Sequence, residues 1–314
     1  MPDPFWPPHL SAFASGEPPL RGSPKAIRQV GGWRRALWTQ RAAFSLLFLA
    51  TCVVAIAAVA VIGFIVVRGF EALSWSFLTT MPSGGMRSGG IFPAIVGTLE
   101  LVGLTVLLAL PMGLGAAIYL TEYAVDNWLT RLIRLAIVNL SGVPSVVYGL
   151  FGFGLFVIFC RFGTSLLSGA LTLAIMILPV IITASEEALR SVPKSFREVS
   201  LSLGASRWQT IRHAVLPFAV PGIMTGTILG ISRAAGETAP ILFTVAAFYL
   251  PRLPHSLFDQ AMALPYHLYV ISTQIPNIPA TQRYGTALVL LLLVLSLNGL
   301  AVMLRIHFRR RRQW

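Results

Sequence analysis

The sequence predicts an all-α integral membrane protein with six transmembrane helices and both termini in the cytoplasm. Three observations carry that expectation. Of 314 residues, 55% are hydrophobic and only 11% are charged, with a mean hydropathy of +0.76, whereas an ordinary soluble domain carries about 25% charged residues. Apolar runs near or above the roughly 20 residues a helix needs to cross the hydrocarbon core recur along the chain. The basic residues, finally, sort to one side of those runs.

Residues 1–42 are rich in proline and glycine, a composition that reads as a disordered cytoplasmic tail. Residues 43–308 form the membrane domain, with spans expected at 43–67, 91–120, 135–160, 165–184, 218–248 and 284–306. Backbone cannot cross lipid unsatisfied, and runs of this length without alternation exclude barrel strands, so each run is a helix. Span one is too long for the hydrophobic region of a signal peptide and lacks a small-residue cleavage site, so it is read as a retained anchor. Residues 309–314 are a basic C-terminal end.

A net charge of +13 raises the question of a nucleic-acid partner, and the placement of the charges answers it. Arg21, Lys25, Arg28, Arg34, Arg35 and Arg41 precede span one. Arg131 and Arg134 follow span two. Arg190, Lys194, Arg197, Arg207 and Arg212 lie between spans four and five, and Arg305 with Arg309 to Arg312 ends the chain. The opposite side holds only Arg68, Arg87, Arg161, Arg252 and Arg283. By the positive-inside rule the basicity is topology, facing the cytoplasm and anionic lipid rather than nucleic acid. Cys52 and Cys160 sit in apolar spans without His or Cys at ligand spacing, so no disulfide framework, metal site or cofactor is expected.

The segment 186–217, EEALRSVPKSFREVSLSLGASRWQTIRHAVLP, is too polar to cross. Ser195 with Glu198 and Ser206 with Gln209 have capping-box spacing, and Gly204 between them suits a left-handed helix end, so two short helices meeting at a turn are predicted. Phe196, Val199 and Leu203 share one face of the first helix. An interfacial helix lying on headgroups and a DNA-reading helix-turn-helix fit parts of this pattern. Spans begin within a few residues on both sides, however, and pin the element at the bilayer.

Span five carries Arg233 and Glu237 one helical turn apart in an apolar run, so a pair or a wet cavity is expected. A structural ion pair is one reading. The other is substrate contact: arginine keeps its charge and offers planar paired donors that match a tetrahedral oxyanion, with Glu237 holding the guanidinium when the site is empty. Pro240 removes the hydrogen bond that the Gly236 carbonyl would accept, so the helix is expected to bend or break there. Gly222, Gly226 and Gly230 form a small-xxx-small stripe on which a second subunit could pack. In span three, Ser141, Gly142, Pro144, Ser145, Tyr148, Gly149 and Gly152 weaken the helix, which either simply kinks or lines a cavity. The glycine-rich stretch 81–93 offers backbone amides for an anion or is a flexible loop. Glu100 in span two has no assigned role. No G-x-x-x-x-G-K-[ST] motif is present, so the chain is not expected to hydrolyse ATP itself, and no grouped catalytic residues mark an enzyme.

The loop resembles the permease loop of ABC importers, which reads Glu-Ala-Ala, three residues, Gly, nine residues, Ile, one residue, Leu-Pro. Here Glu198-Val199-Ser200, Gly204, Ala214 and Leu216-Pro217 keep that spacing, while Val199, Ser200 and Ala214 depart from the usual residue types. The resemblance implies a type I importer permease fold, with Phe196, Glu198, Val199, Leu203, Gly204 and Ala205 meeting a separate ATPase subunit. Beyond the loop, GGIFPAIVGTLEL, AIYLTEYA, NLSGVPSVVYGLFGFG and SRAAGETAPILFT are similar to the phosphate permease family of the PstA type. That similarity implies import of inorganic phosphate in the bacterial inner membrane, with a PstC-like second permease, a PstB-like ATPase dimer and a PstS-like extracytoplasmic binding protein. It also implies a pathway role for Arg233 and Glu237. The residues alone leave sulfate or molybdate, a passive anion channel and a membrane-tethered DNA-binding regulator open.

Overall fold

A computed structural model describes residues 30–310 and is helical almost throughout. Helix α1, Val30–Gly69, is apolar along most of its length. It starts ahead of the expected boundary: residues 30–42, assigned to the tail, are already helical, because after Gly32 no proline or glycine interrupts WRRALWTQRAAF. The disorder expected of residues 1–29 lies outside the described residues. The chain divides into two compact units, Met1–Gly63 and Phe64–Trp314; the second contains all the remaining elements.

In the second unit a short helix α2, Trp75–Thr79, leads to an antiparallel hairpin, β1 Pro82–Ser83 and β2 Ser88–Gly89. The glycine-rich stretch is therefore an ordered hairpin with Met86 fully buried beneath it, not a loose loop. Helix α3, Phe92–Ile118, ends in a π-helical turn at Tyr119–Tyr123. Helices α4, Trp128–Ser141, and α5, Ser145–Gly152 with its π continuation to Phe159, meet at 106°. The expected third span is thus broken where Gly142 and Pro144 fall, since proline disfavours helix for the residue before it.

Helix α6, Leu166–Ser191, leads into α7, Lys194–Ser202, and α8, Arg207–Thr210. After another π turn comes α9, Leu216–Gly236, then α10, Ala239–Thr244. Helix α11, Leu264–Thr273, and α12, Ala280–Arg310, complete the unit. Among the described residues five helices are long and apolar enough to span a membrane, six if α4 and the α5 segment count as one.

Helix α6 is the hub. It packs on α3 and on α9 and is the most buried of the spans. One apolar cluster, including Leu101, Leu173, Ile177, Ile241 and Ile271, fills the half of the bundle nearer the hairpin. A second, including Ile182, Leu189, Val192, Ile211 and Val215, fills the end that carries α7. We call these the hairpin end and the basic end. At the hairpin end Thr98 accepts the Leu264 N–H at 2.8 Å, seating α11 on α3. The loop before it is clipped by Asp259, whose carboxyl is held below its usual range by the His255 N–H and then by Arg252.

Candidate functional site

Helix α9 stops at Gly236 and Glu237 turns extended, with φ −76° and ψ 135°, before α10 resumes. Pro240 stands in the first turn of α10, where its missing N–H costs nothing. Of the bend or break expected there, the structure has a break, and Arg233 and Glu237 flank it. Arg233 Nε approaches Glu237 Oε1 at 3.4 Å, with the side chains 32% and 18% exposed. Among the described residues the two terminal nitrogens of Arg233 make no hydrogen bond. The free edge of the guanidinium thus presents the paired donors that a tetrahedral oxyanion accepts.

Helix α10 packs on α5 at Gly149, where an added Cβ would stand 3.0 Å from the Pro240 Cα and 3.1 Å from the Ala239 carbonyl oxygen. A residue without a side chain is what lets the broken helix lie against α5. This brings Tyr148 within electrostatic reach of Arg233. The Tyr148 hydroxyl donates to the Leu140 carbonyl at 2.8 Å, so its proton holds the corner between α4 and α5. Ser145 opens α5 half-buried, whereas Ser141 is exposed and its hydroxyl turns back on Val138 O at 2.7 Å. Arg233 and Glu237 come together; among the described residues the hydroxyls of Tyr148 and Ser141 bond instead to backbone carbonyls of α4.

The stripe of Gly222, Gly226 and Gly230 faces α6 of the same chain. A Cβ at Gly222 would meet Ala188 Cβ at 2.5 Å, and one at Gly226 would meet Ala184 Cβ at 2.4 Å. The expectation that a second subunit packs there is corrected: that face is filled from within.

At the basic end, α7 begins at Lys194 with Pro193 as N-cap and no side-chain cap. The Ser195–Glu198 capping box does not form, because Ser195 already lies inside the helix; the Ser206–Gln209 box does form on α8. Gly204 takes φ +83°, and the Ala205 N–H bonds to Ser200 O while the Gly204 N–H bonds to Leu201 O. This is the Schellman pattern that closes a helix on a left-handed residue. The single apolar face expected for α7 is split. Phe196 turns inward to an edge-on contact with Phe218 at 4.9 Å, whereas Val199 and Leu203, 83% exposed, point outward with Leu201 and Trp208, and Glu198 is exposed beside them.

Residues 109–313 match the family described as binding-protein-dependent transport system inner membrane component. The chain belongs to this family. A probable ABC transporter permease protein, YqgI, of Bacillus subtilis is 36% identical over 274 residues, covering 83% of this chain and 92% of that one. The phosphate transport system permease protein PstA 1 of Mycobacterium tuberculosis is 37% identical over 254 residues, covering 79% and 82%. Among solved structures, a bacterial ABC transporter that imports the polysaccharide alginate aligns over 85% of this chain and 99% of its own, with a TM-score of 0.59 at 17% identity. The methionine transporter MetNI, in an inward-facing form, aligns over 68% and 94% with a TM-score of 0.55 at 15% identity. The fold is accordingly that of an ABC importer permease, and the chain is a multi-pass transport component.

In this member of the family, several polar residues that the sequence reading passed over make structural contacts. Ser232, beside Arg233, donates to Asn298 Oδ1 of α12 at 2.5 Å. Asn298, a lone amide in an apolar span, was the available signal. Arg134 donates to Leu120 O at 2.6 Å and approaches Glu186 at 3.5 Å, an ion contact without a hydrogen bond. Arg197 reaches Glu122 across 75 residues of sequence at 2.6 Å. His267 on α11 is 2% exposed, with neither ring nitrogen hydrogen-bonded among the described residues, and burial pushes its pKa down from 6.5 to about 4.

Proposed function

We propose that the chain is one of two permease subunits of an ATP-driven importer of inorganic phosphate in the bacterial cytoplasmic membrane. The observation that carries this reading is the free edge of Arg233 beside the broken α9–α10 joint, in a chain 37% identical to a PstA phosphate permease. In this reading the basic end faces the cytoplasm, which the excess of arginine and lysine on that side supports. There the outward side of α7, with Glu198, Val199 and Leu203 and the turn at Gly204 and Ala205, meets a separate PstB-like ATPase that hydrolyses ATP. A PstC-like subunit forms the other wall of the pathway, and a PstS-like binding protein delivers substrate at the hairpin end.

In this reading the anion displaces Glu237 from Arg233 and takes its paired donors, and the reverse exchange releases it. An oxyanion leaving a wet cavity for this site exchanges water for a charge-assisted pair of hydrogen bonds. The break between α9 and α10 supplies the joint at which the wall moves. Supplying the chain and its companion genes to a bacterium that lacks its own high-affinity phosphate permease tests the reading. Growth restored at micromolar phosphate supports it, and growth that stays dependent on millimolar phosphate while the complex assembles contradicts it.

A further inference from the structure

The strongest polar construction at the basic end is not on the outward side of α7 but beneath it. Arg197, one turn into α7, bonds Glu122 through Nη2 at 2.6 Å and through Nε at 3.2 Å to both carboxylate oxygens. Its Nη1 donates to Val192 O and its Nη2 to Leu189 O, each at 2.9 Å. Glu122 belongs to the π turn that ends α3, and the two carbonyls lie at the C-terminus of α6, where a cation is favoured by both hydrogen bonding and the helix dipole. The side chains are 20% and 12% exposed. One guanidinium therefore ties three elements together.

The pair also stands between two clefts, of about 230 and 450 Å³, and lines both. On this side the guanidinium braces α7 alongside the apolar packing of Phe196. The other links of α7 are the Phe196–Phe218 ring contact toward α9 and a 2.9 Å bond between the hydroxyls of Ser200 and Thr210 toward α8. Arg197 is thus a direct side-chain link from α7 to both α3 and α6.

We propose that Arg197 and Glu122 are positioning residues for transport: a strut that carries movement of α7 into the α3–α6 pair, rather than a contact with the ATPase. The inference rests on the ATP-driven reading above and adds to it the route by which the stroke enters the membrane. A lysine cannot replace the arginine, because its single ammonium lacks the fork that serves the carboxylate and the two carbonyls at once.

The test uses the complete complex of this chain, its partner permease, the ATPase and the binding protein in phosphate-loaded proteoliposome assays, reading phosphate moved per ATP hydrolysed. Wild-type complex must first show ATP-dependent uptake; its failure would strike the functional reading itself and not the strut. In Arg197→Met, Arg197→Lys and Glu122→Gln the ATPase is expected to co-purify and hydrolyse ATP, while phosphate moved per ATP falls roughly tenfold, within the usual range of coupling between sites. Where Arg197→Met does not accumulate, the volume-conserving Glu122→Gln reads the same ratio. An assembled Glu122→Gln complex with the wild-type ratio overturns the proposal, and so does loss of ATPase association in Arg197→Lys, which would make Arg197 a docking contact.

Discussion

The contact between α6 and α9 sets a graded test within one helix. In Gly226→Ala the new methyl would stand 2.4 Å from Ala184 Cβ, whereas apolar carbons settle at about 3.5–4.0 Å. Both carbons are attached directly to backbone, so no rotamer relieves the clash and the helices must part by roughly an ångström. Overpacking of this kind costs about 1–3 kcal/mol. Gly222→Ala, at 2.5 Å from Ala188 Cβ, belongs to the same class. Gly230→Ala does not: its nearest neighbour is Ile177 Cδ1 at 3.5 Å, an ordinary contact. Alanine also gains about 1 kcal/mol over glycine in a helix interior, which makes Gly230→Ala neutral or stabilising. Thermal melting of the detergent-solubilised chain, followed by fluorescence-detected size exclusion, orders the three variants. Gly222→Ala and Gly226→Ala should melt below wild type and Gly230→Ala should not. If all three melt with wild type and instead fail to associate with the second permease, the stripe faces a partner and the reasoning is wrong.

Arg233→Gln should insert and assemble normally yet lose phosphate uptake, because glutamine offers neither the charge nor the fork; uptake assays in vesicles check this, and wild-type transport would remove Arg233 from the pathway. Gly204→Val should destabilise the turn after α7 by roughly 1–2 kcal/mol, since φ +83° is left-handed backbone that a β-branched residue resists. Gly204→Asn should cost less, and ATPase co-purification at increasing detergent concentration orders the two. His267 predicts an acid-side loss of stability. Its pKa is about 4 in the folded chain and 6.5 when free, so between those values the unfolded chain binds the extra proton. The folded state is at full strength above about pH 6.5 and loses up to ~3 kcal/mol as pH falls toward 4. His267→Leu should flatten melting curves over that range.

Much of the fold was legible because its causes are local. Hydropathy and length mark the spans, and Gly204 between two helical patterns marks the turn. Pro240 beside two charges marks the break in span five. The candidate site residues Arg233 and Glu237 stand out by the same logic, as charges where charge is expensive. What escaped depends on distance in the chain. Glu122 and Arg197 are unremarkable basic-end residues until α3 and α7 are brought together, and no periodicity links them. Tyr148 reads as part of a weakened helix, but its hydroxyl is committed to Leu140 O only because α4 and α5 meet at 106°. The glycine stripe announces a close approach without saying to what; Ala184 and Ala188, also four apart, were the matching small residues on α6. The Ser195–Glu198 pair had the spacing of a capping box, but Pro193 let the helix start two residues earlier and left Ser195 inside it.

The most direct test of the central claim is uptake of labelled phosphate into vesicles holding this chain with its partner permease, ATPase and binding protein, with sulfate in excess as competitor. The account predicts accumulation that requires ATP, is unmoved by sulfate and is abolished by Arg233→Gln. Phosphate movement without ATP, or accumulation displaced by sulfate, would contradict it.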